Sequence, residues 1–271
     1  MSTNVIEAIN LQKKYGDVTA LRNATFHIGE REIVGFAGDN GAGKSTLMKL
    51  VAGSIGHTAG QLLFAGKERQ ATSPEQARRD GIEIVYQDLA LCDNLNVYEN
   101  IYLGRELVSS VGGIRVLKHS AMRRGAHELL ERLGIELTSM LDPVSTLSGG
   151  QRQMVAICRA TAFQPKLIVM DEPTAALSVG AGQPLLELIR RLPGEGTAVM
   201  LVSHRLSDVL TTCSRVYVVR HGEVTTCVES ATTSEATLLQ LMEGHPDQEA
   251  GRPQGSGKSI TESGPALPAR S

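Results

Sequence analysis

Gly38-Asp-Asn-Gly-Ala-Gly-Lys-Ser-Thr46 sets the fold class, because it satisfies the pattern G-x-x-x-x-G-K-[ST] in full and in the context that pattern requires. The apolar run Glu32–Phe36 leads in as a strand, and Lys44–Ala52 leads out as a helix stopped by Gly53. Between them the backbone N–H groups of Gly38, Asp39, Asn40, Gly41, Ala42 and Gly43, with the helix start at Lys44, Ser45 and Thr46, surround an anion. In that reading Lys44 reaches the β and γ phosphates of a nucleotide, and the Ser45 hydroxyl holds Mg²⁺. A strand, phosphate loop and helix in this order belong to an α/β, P-loop NTPase fold with a mostly parallel sheet. A second glycine-rich run, Gly255-Ser-Gly-Lys-Ser259, lacks this context: Arg252 stands where the first glycine should be, and no strand leads in.

Composition narrows the partners. The chain has 271 residues, of which 41% are hydrophobic, 21% charged and 3% aromatic, with a formal net charge of −2. That is enough chain for a sizeable core, without the basic footprint or stacking platforms that nucleic acid needs. The longest apolar runs, Leu167–Met170 and Ala198–Val202, fall far short of the ~20 residues that span a bilayer. The opening residues show no basic n-region followed by an apolar stretch, so nothing marks the chain for export. Cys92, Cys158, Cys213 and Cys227 form no C-x-x-C pair, which fits reduced thiols in the cytoplasm.

Around the loop, strands are expected at Val5–Asn10, Ala24–Ile28 and Ile82–Tyr86. Ser73-Pro-Glu-Gln76 has the form of a capping box opening a short helix to about Asp80. From about Asn94 to Phe163 the pattern turns nearly all helical, with Leu129, Leu130 and Leu133 on one face of a helix that begins near Ser120, and reads as an inserted helical subdomain. Strand and helix then alternate again: Leu167–Met170, Ala181–Leu192, Thr197–Ser203, Leu206–Cys213 and Arg215–Arg220. The main domain is expected over residues 1–244, and the Gly-, Pro- and Ser-rich residues 245–271 read as a disordered tail.

Three of these strands end in residues suited to phosphoryl transfer. Tyr86 is followed by Gln87, Met170 by Asp171 and Glu172, and Ser203 by His204. Carboxyl ends of parallel strands share the ligand-binding edge, so these residues should converge on the phosphate loop. Asp171 suits Mg²⁺ coordination, and Glu172 can orient or deprotonate an attacking water. A second anion grip stands apart from that edge: in Leu147-Ser-Gly-Gly-Gln-Arg-Gln153, the residues Ser148, Gly149, Gly150 and Gln151 open a helix on the insertion.

The order GDNGAGKST, Gln87 in VYQD, LSGGQRQ, LIVMDEP and His204 resembles the ATPase subunit of an ABC transporter, from about Val5 to Gly244. The resemblance implies that Tyr15 stacks on adenine and that Gln87 senses the γ-phosphate, touches the metal and meets the transmembrane partner. It further implies that Glu172 is the catalytic base and His204 the switch histidine. Two cassettes would pair head to tail, so that Ser148–Gln151 of one cover the ATP on the other's phosphate loop. The implied fold is the mostly parallel sheet with the helical insertion and a small antiparallel β portion near the N-terminus.

The run YQDLALCDNLNVYENIYLGRE with DEPTAALSV is similar to importers of monosaccharides such as ribose, xylose or fructose. This implies Mg·ATP hydrolysis on the cytoplasmic face of the inner membrane, beside permease subunits fed by a periplasmic sugar-binding protein. Two departures stand out. Many of those importers carry two cassettes in one chain, whereas this sequence has one signature, so its partner is a second chain, identical or not; and Ser178 replaces the aspartate common after AAL. A DNA-repair or chromosome ATPase of the same superfamily is the main rival, but such proteins place long coiled coils between phosphate loop and signature, for which Lys44 and Ser148 are too close. A regulator without hydrolysis is opposed by the intact Lys44, Asp171, Glu172 and His204.

Overall fold

Strand alternation decides which side of the sheet each residue serves. In the computed structural model, which describes residues 4–69, 73–111, 113–137 and 139–244, three long-separated runs lie side by side as parallel central strands. On one face sit Val34, Phe36, Leu167, Val169, Ala198, Met200 and Val202; on the other sit Ile33, Ala37, Ile168, Met170, Val199 and Leu201. Strands buried on both faces lose the polar alternation of a surface sheet and read as continuous apolar runs.

The elements run in chain order β1 (Asn4–Tyr15), β2 (Val18–Gly29), β3 (Ile33–Ala37), α1 (Lys44–Val51), β4 (Ala59–Phe64), β5 (Lys67–Glu68), α2 (Pro74–Asp80) and β6 (Ile82–Val85). They continue with α3 (Val97–Tyr102), β7 (Val108–Val111), β8 (Ile114–Leu117), α4 (His119–Leu133) and α5 (Gly149–Thr161). The chain then returns to the sheet through β9 (Leu167–Asp171), α6 (Val179–Arg191), β10 (Ala198–Val202), α7 (Leu206–Thr212), β11 (Arg215–Arg220), β12 (Glu223–Glu229) and α8 (Glu235–Glu243). The large sheet is ordered β5-β4-β1-β2-β12-β11-β3-β10-β9-β6. Its β11-β3-β10-β9-β6 half is parallel, while β5, β4, β1 and β2 form an antiparallel portion near the N-terminus. The two halves meet where β12 touches β2 at Glu223 and Asn23.

Local signals met tertiary structure with mixed results. The Ser73 hydroxyl accepts the Gln76 amide at 3.2 Å, as an N-cap should, but the Gln76 side chain donates to Asp80 at 2.8 Å instead of reaching back. Only half of the predicted capping box forms. Residues 94–163 are not all helical: β7 and β8 make an antiparallel hairpin between α3 and α4. The helices α3, α4 and α5 contribute Val97, Ile101, Met122, Leu129, Leu130, Leu133 and Ile157 to one shared core. The region expected as a disordered tail, 245–271, lies outside the described residues. The four cysteines are unpaired, and burial pushes the Cys158 thiol up to about 12, so it stays protonated at neutral pH.

At the sheet end opposite the phosphate loop, Arg215 is a clamp. It donates to both oxygens of Glu32 at 2.7 and 3.0 Å, to the Tyr217 hydroxyl at 2.7 Å and to the His27 carbonyl at 2.9 Å. This ties β11 to the turn before β3 and to β2.

Candidate functional site

The phosphate loop leaves β3 under steric constraints that only glycine meets. A Cβ at Gly38 would run into the Val219 carbonyl of β11, and Gly43 has φ +112 with Ala20 O 3.0 Å from where its Cβ would sit. The loop therefore lies directly against backbone and turns its amides inward. The turn between β11 and β12 braces it: the Gly222 amide donates to Ala42 O at 2.9 Å, and Gly222 O accepts the Arg22 amide at 2.7 Å. Lys44 is 6% exposed and donates to the carbonyls of Gly38 at 2.6 Å and Asp39 at 2.9 Å. Burial lowers its pKa below the usual lysine value, against the opposing pull of Glu172, Asp39 and Asp171.

Beside the loop opens a cleft of about 590 Å³. Of the residues singled out in the sequence, Asn40, Gly41, Gly43, Lys44, Ser45, Thr46, Gln87, Asp171, Glu172 and His204 line it. Sequence separations of more than a hundred residues collapse to one wall because β3, β6, β9 and β10 are parallel and end together. Gly38, Asp39 and Ala42, in the same loop, do not line the cleft; their carbonyls accept from Lys44 and Gly222.

Glu172 is the most constrained member. It holds φ +51, a left-handed conformation costly for a residue with a Cβ, fixed by its amide on Val202 O at 2.8 Å and by its carbonyl accepting from Ala175. Its carboxylate is 6% exposed, with Oε2 accepting the His204 amide at 3.2 Å. His204 Nε2 lies 2.9 Å from Oε1 but is not aligned as a hydrogen-bond donor, which leaves a buried carboxylate oxygen without one. Burial raises the Glu172 pKa, with Asp171 adding to the rise, while the His204 amide and ring and Lys44 oppose it. Burial likewise raises the Asp171 pKa, opposed by His204, Lys44 and Lys49. A carboxylate on the cleft wall whose pKa is raised by burial has the basicity that a general base needs.

Ser148 to Gln151 do not line this cleft. They open α5, where the Ser148 hydroxyl accepts the Gln151 amide at 3.3 Å and the Gln151 side chain accepts the Ser148 amide at 3.0 Å. That box uses the hydroxyl as acceptor and leaves its proton to donate to an anion. A chain of contacts runs from this helix start to the cleft. Leu177 packs under Gly149, its carbonyl accepts from Arg205 at 2.6 Å, and Arg205 follows His204. Tyr15 is 46% exposed under Lys13, whose ammonium lies 5.0 Å from its ring centre, and it is not among the lining residues. Its cross-strand partner Val18 is. Sequence reading missed Val18, Thr19, Ala20, Arg22, His221 and Gly222, all on the cleft wall. The dipeptide His221-Gly222 between two apolar runs signals a hairpin turn, but no local signal tells that the turn meets the loop.

Ten strands, a phosphate loop and one shared strand edge define a P-loop nucleotide-binding protein. The ABC transporter family model matches residues 21–175, and the chain belongs to that family. It is 38% identical over 240 residues to the xylose/arabinose import ATP-binding protein XylG of Sulfolobus acidocaldarius, covering 89% of this chain and 94% of that protein. It is 40% identical over 253 residues to the fructose import ATP-binding protein FrcA of Rhizobium meliloti, covering 91% and 97%. Against the ribose import ATP-binding protein RbsA 2 of Escherichia coli O157:H7 it is 39% identical over 245 residues and spans 47% of that longer chain. Among solved structures, a nucleotide-free ATP-binding cassette from an ABC transporter superposes with TM-score 0.75 at 25% identity, covering 89% of this chain and 95% of that one. A dimeric post-hydrolysis cassette bound to ADP and Pi superposes with TM-score 0.69 at 28% identity, covering 83% and 98%.

Proposed function

We propose that this chain is the ATP-hydrolysing subunit of an importer that drives a monosaccharide through a membrane permease, working on the cytoplasmic face of the cell membrane. The observation that carries the hydrolytic reading is the single cleft wall on which the phosphate loop, Asp171, Glu172 and His204 meet. Identity to sugar-import ATP-binding proteins along nearly the whole chain supports the transport reading.

In this reading the loop amides and Lys44 hold the phosphates, with Lys44 exchanging its two carbonyl partners for phosphate oxygens. Ser45, Gln87 and Asp171, oxygen donors on the cleft wall, would hold Mg²⁺, which takes its remaining ligands from phosphate and water. A Mg²⁺ held there would neutralise the charge that develops on the transferring phosphoryl group. Glu172, on the cleft wall, takes the proton of the attacking water, and the His204 amide holds its carboxylate in place. Tyr15, on the rim beside Val18, offers its ring to the adenine. Ser148, Gly149, Gly150 and Gln151 serve the nucleotide of a paired cassette, identical or not, a reading supported by their absence from the lining of their own cleft. The remaining partners are permease subunits and, indirectly, a periplasmic sugar-binding protein.

Reconstitution tests the reading. Purified chain with permease and binding protein in vesicles should hydrolyse Mg·ATP and accumulate a monosaccharide, both lost in Glu172→Gln; hydrolysis with no sugar stimulating it across a panel of pentoses and hexoses would sink the substrate class.

A further inference from the structure

Among the described residues, the hairpin that interrupts the helical segment packs extensively on no other element. Ile114 is 70% exposed, Val116 47%, Leu117 44% and Val108 37%. A two-stranded ribbon is marginal by itself, and the described residues give this one no extensive packing on another element. Val108 and Leu117 share one face with Ser110 and Arg115, while Ile114 and Val116 lie on the other. Both faces thus mix apolar tips with polar or charged ones.

Charge is segregated at the same place. From Leu107 to His127 the sequence holds Arg115, Lys118, Arg123 and Arg124 and no Asp or Glu, in a chain whose net charge is −2. All four cations are exposed. Of the neighbouring acids, Glu99 is engaged by the Asn96 amide and the Tyr98 hydroxyl, and Glu106 by the Gly104 amide beside Arg115, while exposed Glu128 follows one turn after Arg124 on α4. Lys118, Arg123 and Arg124 form no ion pair among the described residues.

Exposed apolar tips on a ribbon that carries Arg115 and runs into Lys118 and the cations of α4 suit a layer that is anionic outside and apolar beneath. A protein partner fits less well, since two strands of four residues make a ribbon face on the order of 130 Å², far below the ~800 Å² per side that a stable protein interface buries. We propose that the β7–β8 hairpin and the start of α4 dock this protein on anionic lipid headgroups. The proposal rests on the transport reading only in placing the chain at a membrane.

The test uses the full chain, without permease, sedimented with phosphatidylcholine vesicles with or without phosphatidylglycerol. The expected result is binding to the anionic vesicles alone, weakening as salt rises. Arg115→Gln with Lys118→Gln should lower partitioning roughly 30-fold, at about five-fold per cation. Ile114→Ser with Val116→Ser should also lower it, with the cations in place. Mg·ATP hydrolysis in solution is followed for every variant; it should match the unaltered protein, which verifies folding and scores the enzymatic reading separately. Equal binding to neutral and anionic vesicles, no binding to either, or anionic binding indifferent to both pairs of substitutions overturns the proposal. Binding that appears only when permease is present, and is lost in the hairpin variants, assigns the surface to a protein and overturns it as well.

Discussion

Replacing Glu172 by Gln separates the chemistry of the carboxylate from its role in the fold. The amide is nearly the same size, keeps an oxygen for the His204 amide and leaves the phosphate loop untouched, so nucleotide affinity should be retained. Hydrolysis should fall by about 10²- to 10⁴-fold, or ~3–5 kcal/mol of barrier, the range for loss of a general base. Stability should move the other way. Burial raises the Glu172 pKa above the ordinary 4.5, so the folded protein binds this proton more tightly than the unfolded chain. The ionised carboxylate therefore costs stability above its folded pKa, and that cost disappears as pH falls below 4.5. Glu172→Gln should melt higher than the unaltered protein at pH 7.5, with the gap closing on acidification. For the same reason, hydrolysis by the unaltered protein should decline with falling pH as Glu172 becomes protonated. Phosphate release and calorimetry across a pH series measure both effects. Near-normal turnover would remove Glu172 from the proton transfer, and a melting difference that ignores pH would refute the account of its buried charge.

Three further outcomes follow from contacts already described. Gly38→Ala drives a Cβ into the Val219 carbonyl, a mispacking of about 1–3 kcal/mol that should weaken nucleotide binding roughly 10- to 100-fold; unchanged affinity in a fluorescent-nucleotide titration would deny the close approach. In a Glu172→Gln background, Lys44→Ala and Ser148→Arg should each block ATP-dependent pairing, yet a mixture of the two should pair through one undamaged site. Light scattering at high protein concentration decides this, and a mixture that stays monomeric beside a dimerising control argues against a shared site. Arg215→Ala leaves Glu32 without its clamp and should cost about 2–4 kcal/mol, or roughly 5–12 °C in melting temperature. Burial raises the Glu32 pKa, but the Arg215 and Gly29 bonds outweigh it and hold it low, so this contribution is present above pH 4.5 and lost as pH falls through the lowered value. The deficit in calorimetry should shrink in acid, and a pH-independent deficit would assign the effect to packing.

The parts of this site that were legible in sequence are those whose local pattern and global role agree. The loop Gly38–Thr46 sits between a strand and a helix, and Gln87, Asp171 and His204 each follow an apolar run, so the parallel topology alone brings them together. Other parts depend on distant backbone. The β11–β12 turn meets the loop through Ala42, and Tyr15 stays on the rim while Val18 takes the wall; neither is written in neighbouring residues. The β7–β8 hairpin did carry a signal, Gly112-Gly113 between two short apolar runs, but the helical periodicity on both sides outweighed it. At Gln76 the Ser73 amide, a donor, competes with the Asp80 carboxylate, an acceptor, and the side chain turns to Asp80, which lies one helical turn ahead.

The bracing of the phosphate loop has a consequence for how the protein is made. β3 is flanked by β10 and β11, and Ala42 is held by Gly222, so the loop leaves the ribosome long before the residues that shape it. At 5–20 residues per second, roughly 10 to 40 s of synthesis separate Ala42 from Gly222. During that interval β3 is an apolar ribbon with two open edges, which is when a nascent chain most needs protection from pairing with a stranger. The newborn chain completes its nucleotide cradle only once the residues up to Gly222 have been made, so a fragment that stops short of Gly222 lacks the brace on Ala42.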